Sequence, residues 1–175
     1  MLKWEAIMNN SNETTGNMIG MHQFTAYEGD ITKNDKGEIT NKKVYESPVY
    51  KNIIVNTGKN LTLDRLFGLS SAVAITSVGV GTDSTAAAVG QTQLNPTVSG
   101  SVFIQTADGG TSRTGQVVTI TSTFGTGVAN FTWNEAGLFN GNSNGSSVMF
   151  NRVIIGPFSK SSAVSIVYQT TVTQS

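Results

Sequence analysis

Few residues in this chain are suited to nucleophilic or acid–base catalysis. The sequence has no cysteine, and its single histidine, His22, lies in a predicted strand. A Ser–His–Asp triad would have to use His22, and a thiol nucleophile is excluded. The carboxylates Asp83, Asp108 and Glu135 have no spacing that pairs them as glycosidase acids. We therefore expect a protein that is not an enzyme.

Metal and cofactor sites are also not expected. Asp30, Asn34, Asp35 and Glu38 lie close together, but they do not follow the Asp-x-Asp-x-Asp-Gly pattern of a calcium loop. We interpret them as the polar tip of a hairpin. The glycine-containing turn at residues 79–82 lacks the Gly-Lys-Ser/Thr ending of a phosphate-binding loop. The sequence thus predicts neither a bound metal nor a cofactor.

One charged residue in the C-terminal part stands among apolar neighbours. Glu135 follows Trp133-Asn134 and precedes Ala-Gly-Leu-Phe. A carboxylate in such surroundings needs an ionic or hydrogen-bonding partner. Arg152, on the next apolar run, is the natural candidate. We interpret Glu135 and Arg152 as a structural pair and not as an acid–base dyad.

The chain consists mainly of short predicted β-strands separated by turns, and these elements must position the residues described above. Val, Ile, Thr and aromatic residues recur in runs with alternating polarity, and glycine-rich turns separate them. Many short strands at regular spacing are typical of a sandwich or jelly roll. The predicted strands cover residues 22–32, 38–46, 49–55, 75–80, 100–106, 115–124, 128–133, 147–155 and 163–173.

Two local signals refine this picture. Residues 34–37, Asn-Asp-Lys-Gly, predict a bulged hairpin turn between the first two strands. Leu63, Leu66 and Phe67 have helical i, i+3, i+4 spacing, and Gly68 can end the helix. We expect this helix to lie across an end of the sheets and to plug the core. The predicted fold is an all-β, jelly-roll-like β-sandwich with one short helix, an N-terminal arm and a β-hairpin.

The N-terminal residues differ from the rest of the chain. Residues 1–20 are rich in Met and Asn without a clear period, although Trp4, Ile7 and Met8 could share one short apolar face. We predict a docking arm there, carried by these three residues. The predicted organisation is an N-terminal arm and hairpin over residues 1–50 and a β-sandwich domain over residues 51–175.

The distribution of charge limits the classes of partner. The 11 basic and 11 acidic residues balance, and 16 of these 22 charges lie in the first 65 residues. A basic stripe for nucleic acid, a basic amphipathic helix for a membrane surface and a long apolar span are all missing from the sequence. The remaining residues are kept polar by Ser, Thr, Asn and Gly, which suits extensive contact with other proteins.

Three segments together resemble a module of tailed-phage virions that occurs in tail-fibre, collar, baseplate and head-decoration proteins. Residues 52–68 contain an asparagine, an apolar pair, a second asparagine and a glycine before a helix. Residues 78–94 contain a glycine-rich turn and end in Thr-Gln-Leu, although Val80 stands where a small residue is more usual. Residues 131–152 contain Glu-Ala-Gly-Leu-Phe and then Phe-Asn-Arg. The resemblance covers about residues 50–175.

The resemblance implies a structural protein of the virion, assembled in the bacterial host cytoplasm. Its partners would be the major capsid protein or tail and neck proteins, together with further copies of itself, and family habit suggests a trimer. A small single-domain chain favours capsid decoration. The alternatives are a tail, collar or baseplate accessory protein or fibre adaptor, and a host-glycan-binding module that uses exposed aromatic side chains.

Overall fold

The computed structural model describes residues 18–69, 73–94, 101–109 and 111–174. These residues form eleven strands and one helix. The elements are β1 (Met18–Glu28), β2 (Lys43–Glu46), β3 (Tyr50–Lys51), β4 (Ile53–Ile54), α1 (Asn56–Phe67), β5 (Ser77–Gly81), β6 (Val102–Thr106), β7 (Thr111–Thr114), β8 (Val117–Phe124), β9 (Thr132–Phe139), β10 (Met149–Ser159) and β11 (Val164–Gln174).

The strands form two antiparallel sheets that pack as a sandwich, so the predicted all-β class is confirmed. Sheet I has the order β2-β1-β11-β8-β7, with β3 beside β1, and sheet II has the order β4-β10-β9-β5-β6. Early strands pair with late ones in a nested order: β1 with β11, β4 with β10 and β5 with β9. This nesting is the wrapping that a jelly-roll-like fold requires.

The interior between the sheets is mainly aromatic. The rings of Phe24 and Tyr168 stack with centroids 5.7 Å apart, and Phe124 meets Trp133 edge-on at 4.9 Å. All four side chains are buried, and the indole N–H of Trp133 donates to the Ala129 carbonyl at 2.9 Å. Large apolar area is therefore removed from water while the one polar indole group stays satisfied.

Strand β1 belongs to the predicted N-terminal segment, residues 1–50, but pairs with the predicted sandwich domain, residues 51–175. It pairs with β11 over all of its 11 residues, from Met18 opposite Gln174 to Glu28 opposite Val164. Sheet I thus crosses the predicted boundary at residue 50. The turn at residues 34–37 is present, with Gly37 at φ 80°. The flanking strands lie further from this turn than predicted, however, because β1 ends at Glu28 and β2 begins only at Lys43.

The predicted strand over residues 128–133 is wrong in its bounds. Ala129 has a positive φ of 54°, which an extended strand does not allow, and β9 begins only at Thr132. The strand then continues through Glu135 to Phe139. Glu135 therefore lies within β9, the central strand of sheet II.

The outer face of sheet II carries a second, smaller core. Val55, Leu94, Phe139 and Met149 are fully buried there and form a cluster separate from the main interior. Leu94 ends the segment 82–94, and Val55 precedes α1. Residues from this segment and from the start of α1 thus cover part of the sheet and form a third layer.

Helix α1 is longer than predicted and buries a different face. It begins at Asn56 and ends at Phe67, and Gly68 caps it in the left-handed conformation, with a backbone N–H bond to the Asp64 carbonyl. Its buried residues are Gly58 and Leu61, whereas Leu63, Leu66 and Phe67 are exposed. The helix therefore packs on the sandwich through Gly58 and Leu61, and not through the three residues whose spacing predicted it.

Candidate interaction surface

The C-terminal half of α1 and Leu69, which follows the capping Gly68, present large apolar side chains to solvent. Leu63 is 51% exposed, Leu66 73%, Phe67 66% and Leu69 71%. We call these four residues the α1 apolar end. Single exposed leucines are common on soluble proteins, but four large exposed apolar residues within residues 63–69 mark a candidate contact surface. It is the clearest candidate interaction site among the described residues.

The N-terminal half of α1 fixes the position of the helix. The Val55 N–H donates to the Phe150 carbonyl at 3.2 Å, and Thr57 Oγ1 donates to the Met149 carbonyl at 2.7 Å. A Cβ on Gly58 would lie 2.1 Å from the Phe150 oxygen, so the helix backbone rests directly on β10. The first turn is thus held to the sheet, while residues 65–69 are all exposed.

A buried cluster around Arg152 fixes the neighbouring segment 82–94. Arg152 Nε donates to Glu135 Oε2 at 2.7 Å, so the two residues paired from the sequence lie in contact. Arg152 Nη1 donates to the Thr85 carbonyl at 2.8 Å and to Gln91 Oε1 at 3.0 Å. Asp83 Oδ2 lies 3.6 Å from Nη2. One guanidinium therefore joins strands β9 and β10 to three positions of the segment.

The sheet leaves room for this cluster at one glycine. Gly81 on β5 stands opposite Glu135 on β9. A Cβ at Gly81 would lie 2.3 Å from Glu135 Oε1, so a side chain there would displace the carboxylate. The glycine is needed for this close approach and not for an unusual backbone angle.

The Arg152 cluster is coupled to α1 through the segment it holds. The Asn56 N–H at the start of α1 donates to the Val89 carbonyl at 2.8 Å. Val89 lies between Thr85 and Gln91, which both accept from Arg152. The ion cluster therefore supports the position of the helix that carries the apolar end.

The other charges of the C-terminal part also have partners within the chain. Lys160 Nζ donates to the Gly125 carbonyl and to Asn130 Oδ1, both at 2.8 Å. Asp108 accepts from Thr123 Oγ1, and Arg113 donates to the Gly115 carbonyl. Together with Asp83, Glu135 and Arg152, all six charges beyond residue 65 take part in internal contacts.

The single histidine is part of the core. His22 is fully buried, with Tyr168 Oη and Thr170 Oγ1 at 3.2 and 3.1 Å from Nδ1 and Asn52 Nδ2 at 3.3 Å from Nε2. Burial lowers the pKa of His22 to about 3, because the charged imidazolium would lose its hydration. The ring is neutral at physiological pH, and its two nitrogens are occupied by structural contacts.

One catalytic motif was missed in the sequence. Residues 141–145, Gly-Asn-Ser-Asn-Gly, match the Gly-x-Ser-x-Gly pattern of a nucleophile elbow. They lie in the loop between β9 and β10, not between a strand and a helix. The Ser143 N–H donates to Ser147 Oγ, and the Ser143 carbonyl accepts from the Ser147 N–H. The loop is thus a closed turn that connects two antiparallel strands.

The acidic hairpin tip is held by its own hydrogen bonds. Asn34 Nδ2 donates to Glu38 Oε2 at 2.8 Å, and Asn34 Oδ1 accepts from the Lys36 and Glu38 N–H groups. Asp30 Oδ1 accepts a hydrogen bond from Thr126 Oγ1, at 2.6 Å, and not from the hairpin tip. Within the described ranges, no three His, Cys, Asp or Glu residues are grouped as metal ligands.

Two of the aromatic side chains that a glycan-binding site could use are not accessible. Trp133 and Tyr168 are buried in the core. Tyr45 is partly exposed and stacks on Phe158 with ring centroids 5.1 Å apart.

The predicted arm residues Trp4, Ile7 and Met8 lie outside the described residues. Across the ranges that the structure covers, no helix is both long enough and apolar enough to cross a membrane.

Comparison with known proteins gives no relative. No protein-family model, no curated protein and no solved structure matches the chain.

Proposed function

We propose that this protein is a non-enzymatic structural subunit of a tailed-phage virion, which acts by packing against other virion proteins through the α1 apolar end. The first turn of α1 is fixed to the sandwich, and Leu63, Leu66, Phe67 and Leu69 are exposed at its C-terminal end and just beyond it. This exposure carries the proposal. Such a helix end inserts into an apolar groove of a partner in the way amphipathic recognition helices do.

The charges of the chain support a packing role. The six charged residues beyond residue 65 make contacts inside the chain, including the Arg152 cluster and the bonds of Lys160. Asp83, Glu135, Arg152 and Lys160 are buried, so of these six charges only Asp108 and Arg113 are exposed. The surface of this part is otherwise kept polar by Ser, Thr, Asn and Gly, which suits close contact with neighbouring proteins. The ordered motifs within residues 52–68, 78–94 and 131–152 direct the proposal to the virion.

Within the virion we assign the protein to capsid decoration. A small sandwich that offers one short apolar helix end suits attachment in many copies, because each contact is modest and repetition adds avidity. The partners in this role are the major capsid protein and adjacent copies of the same chain. A tail, collar or baseplate position would use the same surface against a different neighbour.

Quantitative mass spectrometry of purified particles, separated into heads and tails, tests this proposal. A decoration protein is found in the head fraction, at a copy number that is a fixed ratio to the major capsid protein. Recovery in the tail fraction at low copy number would instead assign the accessory role. Absence from washed particles, despite expression in infected cells, would reject the structural role itself.

A further inference from the structure

The outer face of sheet I carries no charged residue on its central strands. Side chains alternate between the core and this face over residues 19–25 of β1, 117–123 of β8 and 167–173 of β11. The outward positions hold only Ile, Met, Gln, Thr and Val, and all of them are half-buried or exposed. A solvated protein surface normally mixes acidic and basic side chains, so this neutral face indicates a contact with protein.

Sheet I is also the sheet whose outer face the described residues leave open. On sheet II, Val55 and Leu94 cover part of the outer face in the small second core. On sheet I, no outward position in the three ranges is buried. At about 3.4 Å per residue and about 4.8 Å between strands, sheet I covers roughly 650 Å² as a flat area, and side-chain relief adds to this. A standard interface buries about 800 Å² on each partner, so the face has the size that a stable dimer needs.

Charged side chains border this face along the edge formed by β2 and β3. Lys51 on β3 stands opposite Met21, and Glu46 on β2 stands opposite Thr25. Side chains directly opposite each other lie on the same face of a sheet, so both charges belong to the rim of the outer face. Both are exposed, and Lys51 makes no ion pair within the described ranges. A neutral centre with a charged rim is the usual composition of a protein interface.

The two rim charges lie on opposite sides of a central row. This row crosses three strands and consists of uncharged side chains: Gln23, Gln169 and Thr121. On β1, Met21 is the outward position before the row and Thr25 the outward position after it. Lys51 and Glu46 stand beside these two positions, so they are equally far from the row in the strand register. A two-fold axis along the row therefore places Lys51 of one copy against Glu46 of the other, twice.

We propose that the outer face of sheet I binds the same face of a second copy across this two-fold axis. Such an interface is self-complementary, and each side chain of the central row meets its own counterpart. A charged residue in the row would meet an identical charge, which explains why the row is neutral. The two sheets pack about 10 Å apart, with their strands within about 30° of each other. The two Lys51–Glu46 pairs fix the orientation. This surface is separate from the α1 apolar end.

Sedimentation velocity of the full-length chain over a dilution series tests this proposal. The unmodified protein is expected to sediment as a dimer that dissociates on dilution. Gln169→Lys, at an exposed position of the central row, brings two ammonium groups together and is expected to give a monomer. Each rim reversal, Lys51→Glu or Glu46→Lys, raises the dimer Kd about tenfold, because two symmetric pairs change from attractive to repulsive. The variant with both reversals restores the Kd, since the pairs then form with exchanged charges.

Two control variants separate this face from the rest of the surface. Ser84→Lys, at an exposed position of the segment 82–94, is expected to remain a dimer, and so is the variant with Leu66→Asp and Phe67→Asp. Circular dichroism checks that every variant is folded. A monomer at all concentrations of the unmodified protein, or a dimer that Gln169→Lys leaves intact, overturns the proposal. A dimer lost through the α1 substitutions, or a Kd that the double reversal does not restore, also overturns it.

Discussion

Arg152 and Glu135 lie on adjacent strands of sheet II, with Arg152 Nε 2.7 Å from Glu135 Oε2, and neither side chain is exposed. In the strand register, Arg152 stands opposite Gly137 and Glu135 opposite Ile154, so the pair is diagonal on one face of the sheet. The same guanidinium binds the Thr85 carbonyl. The pair thus joins the segment 82–94 to the sandwich as well as β9 to β10.

Removal of one partner of this pair is expected to be costly. Glu135→Ala leaves the Arg152 guanidinium buried without its strongest acceptor, and breaking a buried ion pair in this way costs about 3–5 kcal/mol. Urea unfolding of the variant measures the loss in free energy of unfolding. Glu46→Ala provides the control, because the Lys43–Glu46 ion pair has a similar distance, 2.8 Å, but lies on the surface. A Glu135→Ala midpoint equal to that of the control contradicts a structural role for the pair.

The contact between α1 and β10 is expected to tolerate no side chain at residue 58. A Cβ in Gly58→Ala would lie 2.1 Å from the Phe150 oxygen, which is backbone and cannot turn aside. We expect a loss of about 1–3 kcal/mol in unfolding free energy, as for other overpacked sites, and faster hydrogen exchange in α1. Gly90→Ala is the matched control, since nothing lies within 4 Å of a Cβ there. Equal exchange rates in the two variants would show that α1 does not rest on β10.

The α1 apolar end is expected to matter for assembly and not for folding. Because Leu66 and Phe67 are exposed, Leu66→Asp and Phe67→Asp together change the unfolding free energy by no more than about 0.5 kcal/mol per site. The same double variant is expected to lose incorporation into particles when it competes with the wild-type chain during infection. Lys59→Asp, exposed on the first half of α1, controls for added negative charge. Normal incorporation of the double variant would assign the contact to another surface.

Stability is expected to fall in acid because of His22. Its folded-state pKa of about 3 lies below the ordinary value of 6.5, so the unfolded chain binds the proton more readily. Burial of the neutral ring therefore costs no free energy of unfolding above about pH 6.5. As the pH falls from there towards 3, the free energy of unfolding decreases by up to about 1.4 kcal/mol per pH unit. Urea titrations between pH 5 and 6.5 separate this effect from the carboxylates. His22→Gln is expected to flatten the slope in this window, and an unchanged slope would contradict it.

Patterns with a period of two were sufficient to predict the sandwich. In β11 the alternation placed Ile166 and Tyr168 on one face, and both are buried. In these strands one face is covered, so the polarity of neighbouring positions directly records which face that is.

Positions that depend on contacts distant in sequence were less predictable. The spacing of Leu63, Leu66 and Phe67 shows that they share a helix face, but it does not show whether that face is covered. The burial of Gly58 follows from the approach of the Phe150 backbone, 92 residues further along the chain, and no local pattern records it. The partners of Arg152 in the segment 82–94 were not predicted for the same reason. Every residue has a backbone carbonyl, so the sequence does not indicate that the Thr85 carbonyl accepts from Arg152.

Cryo-electron microscopy of the native particle tests the central claim most directly, through the place of this chain in the map. The account predicts density for the sandwich on the capsid shell, with Leu66, Phe67 and Leu69 buried against a neighbouring protein. A map that contains the sandwich but leaves the α1 apolar end facing solvent, or a complete map of head, neck and tail without this chain, would contradict it.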